Sequence, residues 1–288
     1  MKPPEFDYAA PTSLDEALDL LTGDAFAKVL AGGQSLVPLL NLRLAAPSLL
    51  VDLRRIPGLD GIERRNGQVA IGAMTRQRRA EHDDAIRSAT PLLGVALRHI
   101  AHPQIRSQGT IGGSVAHADP AAELPAVLTA LDGRIRARGP AGDRTIEAER
   151  FFTGFLSTEL GDDEIVTAVE LPVAVARTGV GCVEVAQRAG DYALAGAVAQ
   201  VTLEPEGEVA DARVALFGIA DRPVRARAVE AALVGEPARS ETAAAAGRHA
   251  ADGLAPRDDP RVPADYRRHL ACVVTQRALD QAMEDART

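Results

Sequence analysis

Residues 28–53 run a short apolar strand into an adjacent glycine pair and then a helix start: KVLAGGQSLVPLLNLRL, followed by LLVDL. Glycine lacks the Cβ that forbids positive φ and close backbone approach, so a strand-to-helix turn through two glycines is built for one or the other. The apolar spacing predicts a buried strand over Lys28–Leu30 and a helix over Leu36–Leu44, with Pro38 tolerated in its first turn. A second strand follows over Leu49–Leu53, and such a β–loop–α–β unit expects a right-handed crossover. Successive N–H groups at a helix start attract anions. Yet the loop has neither the lysine of a P-loop nor the spacing G-x-G-x-x-G, and one glycine pair alone is more often a tight turn.

A second pair lies in RSQGTIGGSVAHADPAAELPAVLTAL, read as a glycine-rich loop and then a helix from about Pro120. The stretches Ala31–Ser35 and Thr110–Ser114 share one layout, with hydroxyls at Ser35, Thr110 and Ser114. Two such loops can grip the two phosphates of a dinucleotide without any lysine. Asp119 before Pro120 is a natural N-cap. Glu123, one turn further on, is either a surface carboxylate suited to the helix dipole or an acceptor for ribityl or ribose hydroxyls. In RAGDYALAG, Asp191 and Tyr192 stand at a strand entrance, with Tyr192 either a half-buried packing residue or an aromatic lid near a planar ring. His99 and His102, three apart, have the spacing to share a helix face and offer a weak metal signal, but HExxH and HxxxH pairs and a G-x-S-x-G nucleophile motif are absent.

The rest of the chain alternates strands and helices. TSLDEALDLL is a helix with Ser13 as N-cap and Glu16 three residues later. QVAIGAM and DEIVTAVELP read as strands, and RIRAR and RTIEA as a hairpin around GPAGD. VAVARTG resembles a linker. AVAQVTLE and VALFGIA are strands about the turn PEGE, and DYRRHLACVVTQRALDQAM is a helix with Tyr266, Leu270, Val273, Val274 and Arg277 along one stripe. A formal net charge of −8 argues against nucleic acid or an anionic membrane as partner. Apolar runs broken by charge imply no membrane span, and MKPPEFDYAAPTS lacks the apolar core of a signal peptide, so a cytoplasmic location is expected. Two cysteines, Cys182 and Cys272, are too few for a four-cysteine cluster and read as buried small hydrophobes. With no Trp and 3% aromatics, redox chemistry here needs a borrowed cofactor.

VLAGGQSLVPLLNLRL…LLVDL, GTIGGSVAHADPAAELP, DEIVTAVELP and RAGDYALA, in this order and spacing, resemble the FAD-binding medium subunit of the molybdenum hydroxylases, the relatives of xanthine dehydrogenase, carbon monoxide dehydrogenase and quinoline oxidoreductase. The resemblance extends to the C-terminal DYRRHLACVVTQRAL. It implies an α+β fold: a two-lobed FAD-binding domain of the vanillyl-alcohol-oxidase/PCMH type, then a small antiparallel sheet with helices. The lobes would be residues 1–55 and 56–174, and the C-terminal domain 175–288. By resemblance, Val29, Leu30, Ala31, Gly32, Gly33, Gln34, Ser35 and Leu36, with Thr110, Ile111, Gly112, Gly113 and Ser114, bind the FAD pyrophosphate. Glu123 is an acidic cofactor contact, Ile100 and Val166 pack against the cofactor, and Tyr192 falls beside the flavin. Some members carry Lys where Glu184 aligns, and Glu184 with AGGQS and GDYAL resembles the quinoline-type branch more than the carbon monoxide branch. The implied partners are a large molybdopterin-binding subunit and a small [2Fe–2S] subunit, arranged as a dimer of heterotrimers. The implied task is electron transfer to an external acceptor such as NAD⁺, a quinone or O₂, with no catalytic acid or base and no metal in this chain. A stand-alone flavin oxidoreductase of the same fold, or a module that has lost FAD, are the rivals.

Overall fold

A computed structural model describes residues 2–256, 258–259 and 262–288. Three sheets follow one another along the chain. The first is parallel, in the order β1 (Asp7–Ala9), β3 (Leu49–Asp52), β2 (Ala27–Leu30), with α1 (Leu14–Gly23) and α2 (Leu36–Asn41) between its strands. Ser13 caps α1 by accepting the N–H of Glu16 at 3.2 Å, as a capping box requires. The helix expected over Leu36–Leu44 ends at Asn41, because Arg43 turns to φ 59° and the chain leaves the helix there.

The second sheet is antiparallel, ordered β4 (Ile62–Arg65), β5 (Gln68–Gly72), β10, β6 (Arg134–Gly139), β7 (Gly142–Glu147), where β10 is Ile165–Pro172. A minor hairpin pairs β8 (Phe152–Gly154) with β9 (Ser157–Thr158). Between β5 and β6 the chain makes α3 (Gln77–Glu81), α4 (Asp84–Ala89), α5 (Pro91–Leu97), α6 (Pro103–Gln108), α7 (Ile111–His117) and α8 (Glu123–Ala130); α9 (Ala148–Phe151) follows β7.

The third sheet is the antiparallel series β11 (Thr178–Val185), β12 (Ala195–Leu203), β13 (Val209–Phe217), β14 (Val224–Arg225), followed by α10 (Arg227–Ala231), α11 (Ser240–Gly247) and the long α12 (Ala264–Asp285). Alternation explains its two buried faces. Ala195, Ala197, Ala199, Val201 and Leu203 pack with α12. Val180, Cys182, Val198, Ala215 and Phe217 point the other way and share one core with Val69, Ile71, Leu92, Leu97 and Leu124 of the second unit. Side chains at the even positions of β11, Glu184 included, therefore face the second unit.

The odd positions of β11 face α12 so closely that Gly179 and Gly181 leave no room for a side chain. A Cβ at Gly181 would strike the Ala278 carbonyl and lie 3.0 Å from the Gln281 Cβ; one at Gly179 would lie 2.8 Å from the Ala286 Cα. The helix also covers the open edge of β11. Asp285 accepts the N–H of Val180 at 2.9 Å and Gln281 that of Cys182 at 3.2 Å. On α12 the buried stripe is Leu270, Ala271, Val274, Ala278, Leu279 and Ala282. Tyr266 and Arg277, expected on it, are exposed, because the face that meets the sheet runs through Ala271, Ala278 and Ala282 and turns those two positions to solvent. Cys182 is buried as expected and Cys272 half-buried. Among the described residues no helix is long and apolar enough to cross a membrane.

Gly181→Ala should therefore lower stability by about 1–3 kcal/mol, since overpacking has no flexible side chain to push aside. Gly23→Ala, where nothing lies within 4 Å, should stay within about 0.5 kcal/mol of the parent in the same urea titration.

Candidate functional site

The two glycine stretches, 75 or more residues apart, meet backbone to backbone. A Cβ at Gly32 would strike the Gln108 carbonyl and lie 2.9 Å from the Gly109 Cα; one at Gly113 would lie 3.2 Å from the Ala31 Cβ. Gly33 sits at φ 72°, the left-handed region that favours glycine. The chain then turns into α2, and Gln34 reaches back to donate to the Gly32 carbonyl at 3.1 Å. Among the described residues the N–H groups of Gly32, Gly33, Gln34 and Ser35 have no acceptor. They form a row of donors at a helix start.

The second stretch has a different construction. TIGGS was read as a loop, but Thr110 is the N-cap of α7 and its two glycines are helical. Every N–H from Ile111 to Ser114 is already bonded: to Thr75, Ala73, the Thr110 hydroxyl and the Thr110 carbonyl, at 3.0, 2.8, 3.1 and 3.2 Å. Gly112 is the only residue type that fits against Ala73, whose Cα a Cβ would approach to 2.7 Å. Thr110–Ser114 thus supplies closeness and the hydroxyls of Thr110 and Ser114, and the free backbone donors come from the first loop.

The remaining expected residues divide into a rim and a foundation. Val29 and Leu36 are partly buried, Leu30, Ile111 and Val166 are buried in apolar clusters, and Ile100 packs on the shared core. These hold the loops from behind. Tyr192 is 60% exposed, and its hydroxyl reaches Ser35. Desolvation of that hydroxyl, then the charge of Asp119, holds the phenol above its ordinary range. Gly190 lies at φ 86° against the His102 ring, where a Cβ would come within 2.8 Å of Nδ1. The third unit therefore closes one side of a site whose floor belongs to the first two.

Helix α8 begins at Glu123, not Pro120, and its N-cap is Ala122. Asp119 instead accepts the Ala121 N–H at 2.9 Å in a local turn. Glu123 is half-buried, and burial first, then the charges of Glu184 and Asp119, push its carboxyl up to about 8. Glu184, in turn, has one oxygen 3.7 Å from His99 Nδ1 and the other buried without a partner. His117 lies 4.0 Å from Asp119, and burial lowers its imidazole below the ordinary value.

His99 and His102 do not share a helix face: α5 stops at Leu97, and His102 is the N-cap of α6. Among the described residues no three His, Cys, Asp or Glu side chains converge to hold a metal. Sequence reasoning missed what fixes the turn between these helices. Arg106, buried, pairs with Glu81 at 2.9 and 3.2 Å and donates to the Ile100 carbonyl at 2.7 Å. That bond restrains Ile100 beside Ala101, which sits at φ 41°. A pair 25 residues apart on separate short helices leaves no periodic signal.

A row of unpaired N–H donors, flanked by hydroxyls, with no basic residue among 31–36 or 110–114, fits a phosphate-bearing, polyhydroxylated ligand. The donor set thus fits the diphosphate of a dinucleotide cofactor such as FAD.

Comparison with known proteins agrees with this chemistry. Residues 4–174 match the FAD binding domain in molybdopterin dehydrogenase, and residues 183–282 the CO dehydrogenase flavoprotein C-terminal domain. The alpha subunit of the 6-hydroxypseudooxynicotine dehydrogenase complex of Paenarthrobacter nicotinovorans is 41% identical over 288 residues, covering 100% of this chain and 97% of the relative. Quinoline 2-oxidoreductase from Pseudomonas putida 86 contains a chain with TM-score 0.95 and 38% identity, with 100% of each chain covered. Carbon monoxide dehydrogenase from Hydrogenophaga pseudoflava gives TM-score 0.95 and 38% identity over 99% of both chains.

Two outcomes follow from the geometry. Gly32→Ala forces the loops apart and should reduce FAD retention at least tenfold, read as flavin absorbance per chain after gel filtration, with far-UV circular dichroism unchanged. Glu81→Ala strands the buried Arg106 charge and should cost about 3–5 kcal/mol in a denaturant titration.

Proposed function

We propose that this chain, which belongs to the FAD-binding medium subunits of the molybdenum hydroxylases, holds FAD along residues 31–35 and passes electrons through it from [2Fe–2S] clusters on a partner chain to an external acceptor. The observation that carries this reading is the row of N–H groups from Gly32 to Ser35 with no acceptor among the described residues, set where two glycine stretches touch. Gly32, Gly33, Gln34 and Ser35 bind the pyrophosphate, and Thr110 and Ser114 add hydroxyls. Glu123 meets the ribityl or ribose hydroxyls, and Tyr192 covers the ring side. Val29, Leu30, Leu36, Ile100, Ile111, Gly112 and Val166 keep the loops in place from beneath.

FAD supplies the chemistry of accepting electrons and handing them on. The protein's residues bind it, desolvate one side and tune it. Cys₄ ligation of even one cluster exceeds the two cysteines present, and Cys182 is buried in the core, so clusters belong on another chain. The partners in this reading are a large molybdopterin-binding subunit and a small iron–sulfur subunit, in a dimer of heterotrimers in the cytoplasm. Residues 1–55 and 56–174 are the two lobes of the cofactor domain, and 175–288 the domain that closes it.

The purified chain should carry close to one FAD and turn over no organic donor alone. Mixed with the large and small subunits, it should restore substrate-dependent reduction of NAD⁺, a quinone or O₂. A chain that stays colourless after incubation with FAD would sink the reading. Turnover of a donor by the isolated chain would make it a self-sufficient flavin oxidoreductase instead.

A further inference from the structure

The donors from Gly32 to Ser35 are neutral dipoles, whereas a diphosphate is a dianion. A cation stands against the same contact. Arg76 pairs antiparallel with Thr110 through its backbone. On either side of that bridge the Gln77 N–H donates to the Gly109 carbonyl at 2.9 Å and the Ile111 N–H to the Thr75 carbonyl at 3.0 Å. Arg76 is thereby fixed beside the place where the two glycine stretches touch. Its guanidinium donates to the Gln108 carbonyl. That is the oxygen a Cβ on Gly32 would strike, so one atom joins the guanidinium to the first loop.

The side chain is half-buried, and among the described residues no carboxylate pairs with it; the Gln108 carbonyl is its partner. Nearby cations are committed elsewhere: Arg79 of the same helix to Asp60 at 3.3 Å, and buried Arg106 to Glu81 at 2.9 Å. Arginine is a permanent cation whose N–H groups form a planar fork, and one carbonyl takes up only part of it. The rest matches the oxygens of a phosphate. Holding the last carbonyl of α6 alone asks for a donor and not for a charge; a neutral amide would serve.

We propose that Arg76 is a further cofactor-binding residue: anchored on the Gln108 carbonyl beside Gly32, its guanidinium takes a phosphate oxygen of the dinucleotide and supplies the positive charge that the N–H row lacks. This rests on the FAD reading above. The carbonyl presets the position of the guanidinium before the ligand arrives, so little side-chain freedom remains to be lost on binding. The charge enters from outside both glycine stretches, which is why a search for a basic residue within either one does not find it.

The test is FAD titration of the full-length chain, stripped of flavin and followed by quenching of flavin fluorescence, at about 25 mM and about 500 mM NaCl. Arg76→Gln keeps a donor for the Gln108 carbonyl and removes the charge. It should raise the Kd about tenfold or more at low salt, with far-UV circular dichroism unchanged. Arg76→Lys, which keeps the charge without the fork, should fall between Arg76→Gln and wild type. The gap between wild type and Arg76→Gln should narrow at high salt, where the charge is screened. Arg78→Gln, an exposed cation of the same helix, should bind FAD as wild type does. A wild-type Kd in Arg76→Gln, a loss that salt does not narrow, an Arg76→Lys no better than Arg76→Gln, or an equal loss in Arg78→Gln would each overturn the proposal. Any of these in a chain whose wild type binds FAD overturns this inference alone; a wild type that binds none overturns the cofactor reading with it. Should Arg76→Gln not fold, Arg76→Lys and wild type still decide: both should bind FAD more weakly at high salt, and a Kd indifferent to salt in both would overturn the proposal.

Discussion

The site depends on one contact between two backbones, where Gly32 lies against Gln108 and Gly109 and where Gly113 lies against Ala31. No side chain can be inserted there. Because α7 satisfies its own first N–H groups through Thr110, Thr75 and Ala73, it presents a rigid wall. The first loop turns into α2 against that wall through the Val37 N–H bond to the Gly33 carbonyl, and its N–H groups from Gly32 to Ser35 have no acceptor among the described residues. Four donors left open at a surface cost little while water reaches them, and they gain most when an anion replaces that water.

The third unit has its place for a related reason. One face of its sheet completes the core of the second unit, so the position of Glu184 on that face is set by apolar burial, not by polar attraction. The other face is held by α12, lying on glycines at 179 and 181 and bonding the N–H groups of Val180 and Cys182. That arrangement fixes the height of β11 over the second unit. Val180 and Cys182 are thus held by side chains 99 or more residues away in sequence.

Much of this is legible in the chain, and the exceptions have a pattern. Long periodic segments such as DEIVTAVELP and AVAQVTLE stand where alternation puts them, and the hairpin of RIRAR with RTIEA forms about Pro140. The series of short helices between 77 and 130 is harder. Each has five to eight residues, too few for a stripe, and the turn between Leu97 and Pro103 is held by Arg106, itself anchored on Glu81. The two glycine pairs are alike in sequence and differ in structure. One is an open donor loop and the other a capped helix, because Thr110 precedes the second pair at the distance where its hydroxyl meets the Gly113 N–H. Ser35 follows the first pair and makes no such bond. The capping residue's position, before or after the glycines, was the signal available.

What the same chain leaves unsaid is also physical. Chains from a quinoline oxidoreductase and from a carbon monoxide dehydrogenase are equally like this one, at TM-score 0.95 and 38% identity each. A scaffold shared by enzymes named for such unlike substrates cannot be shaped by either substrate. It is shaped by what they hold in common, a cofactor with a diphosphate at one end and hydroxyls along its length. The open donors of residues 32–35 suit a cofactor of that kind and owe nothing to either substrate.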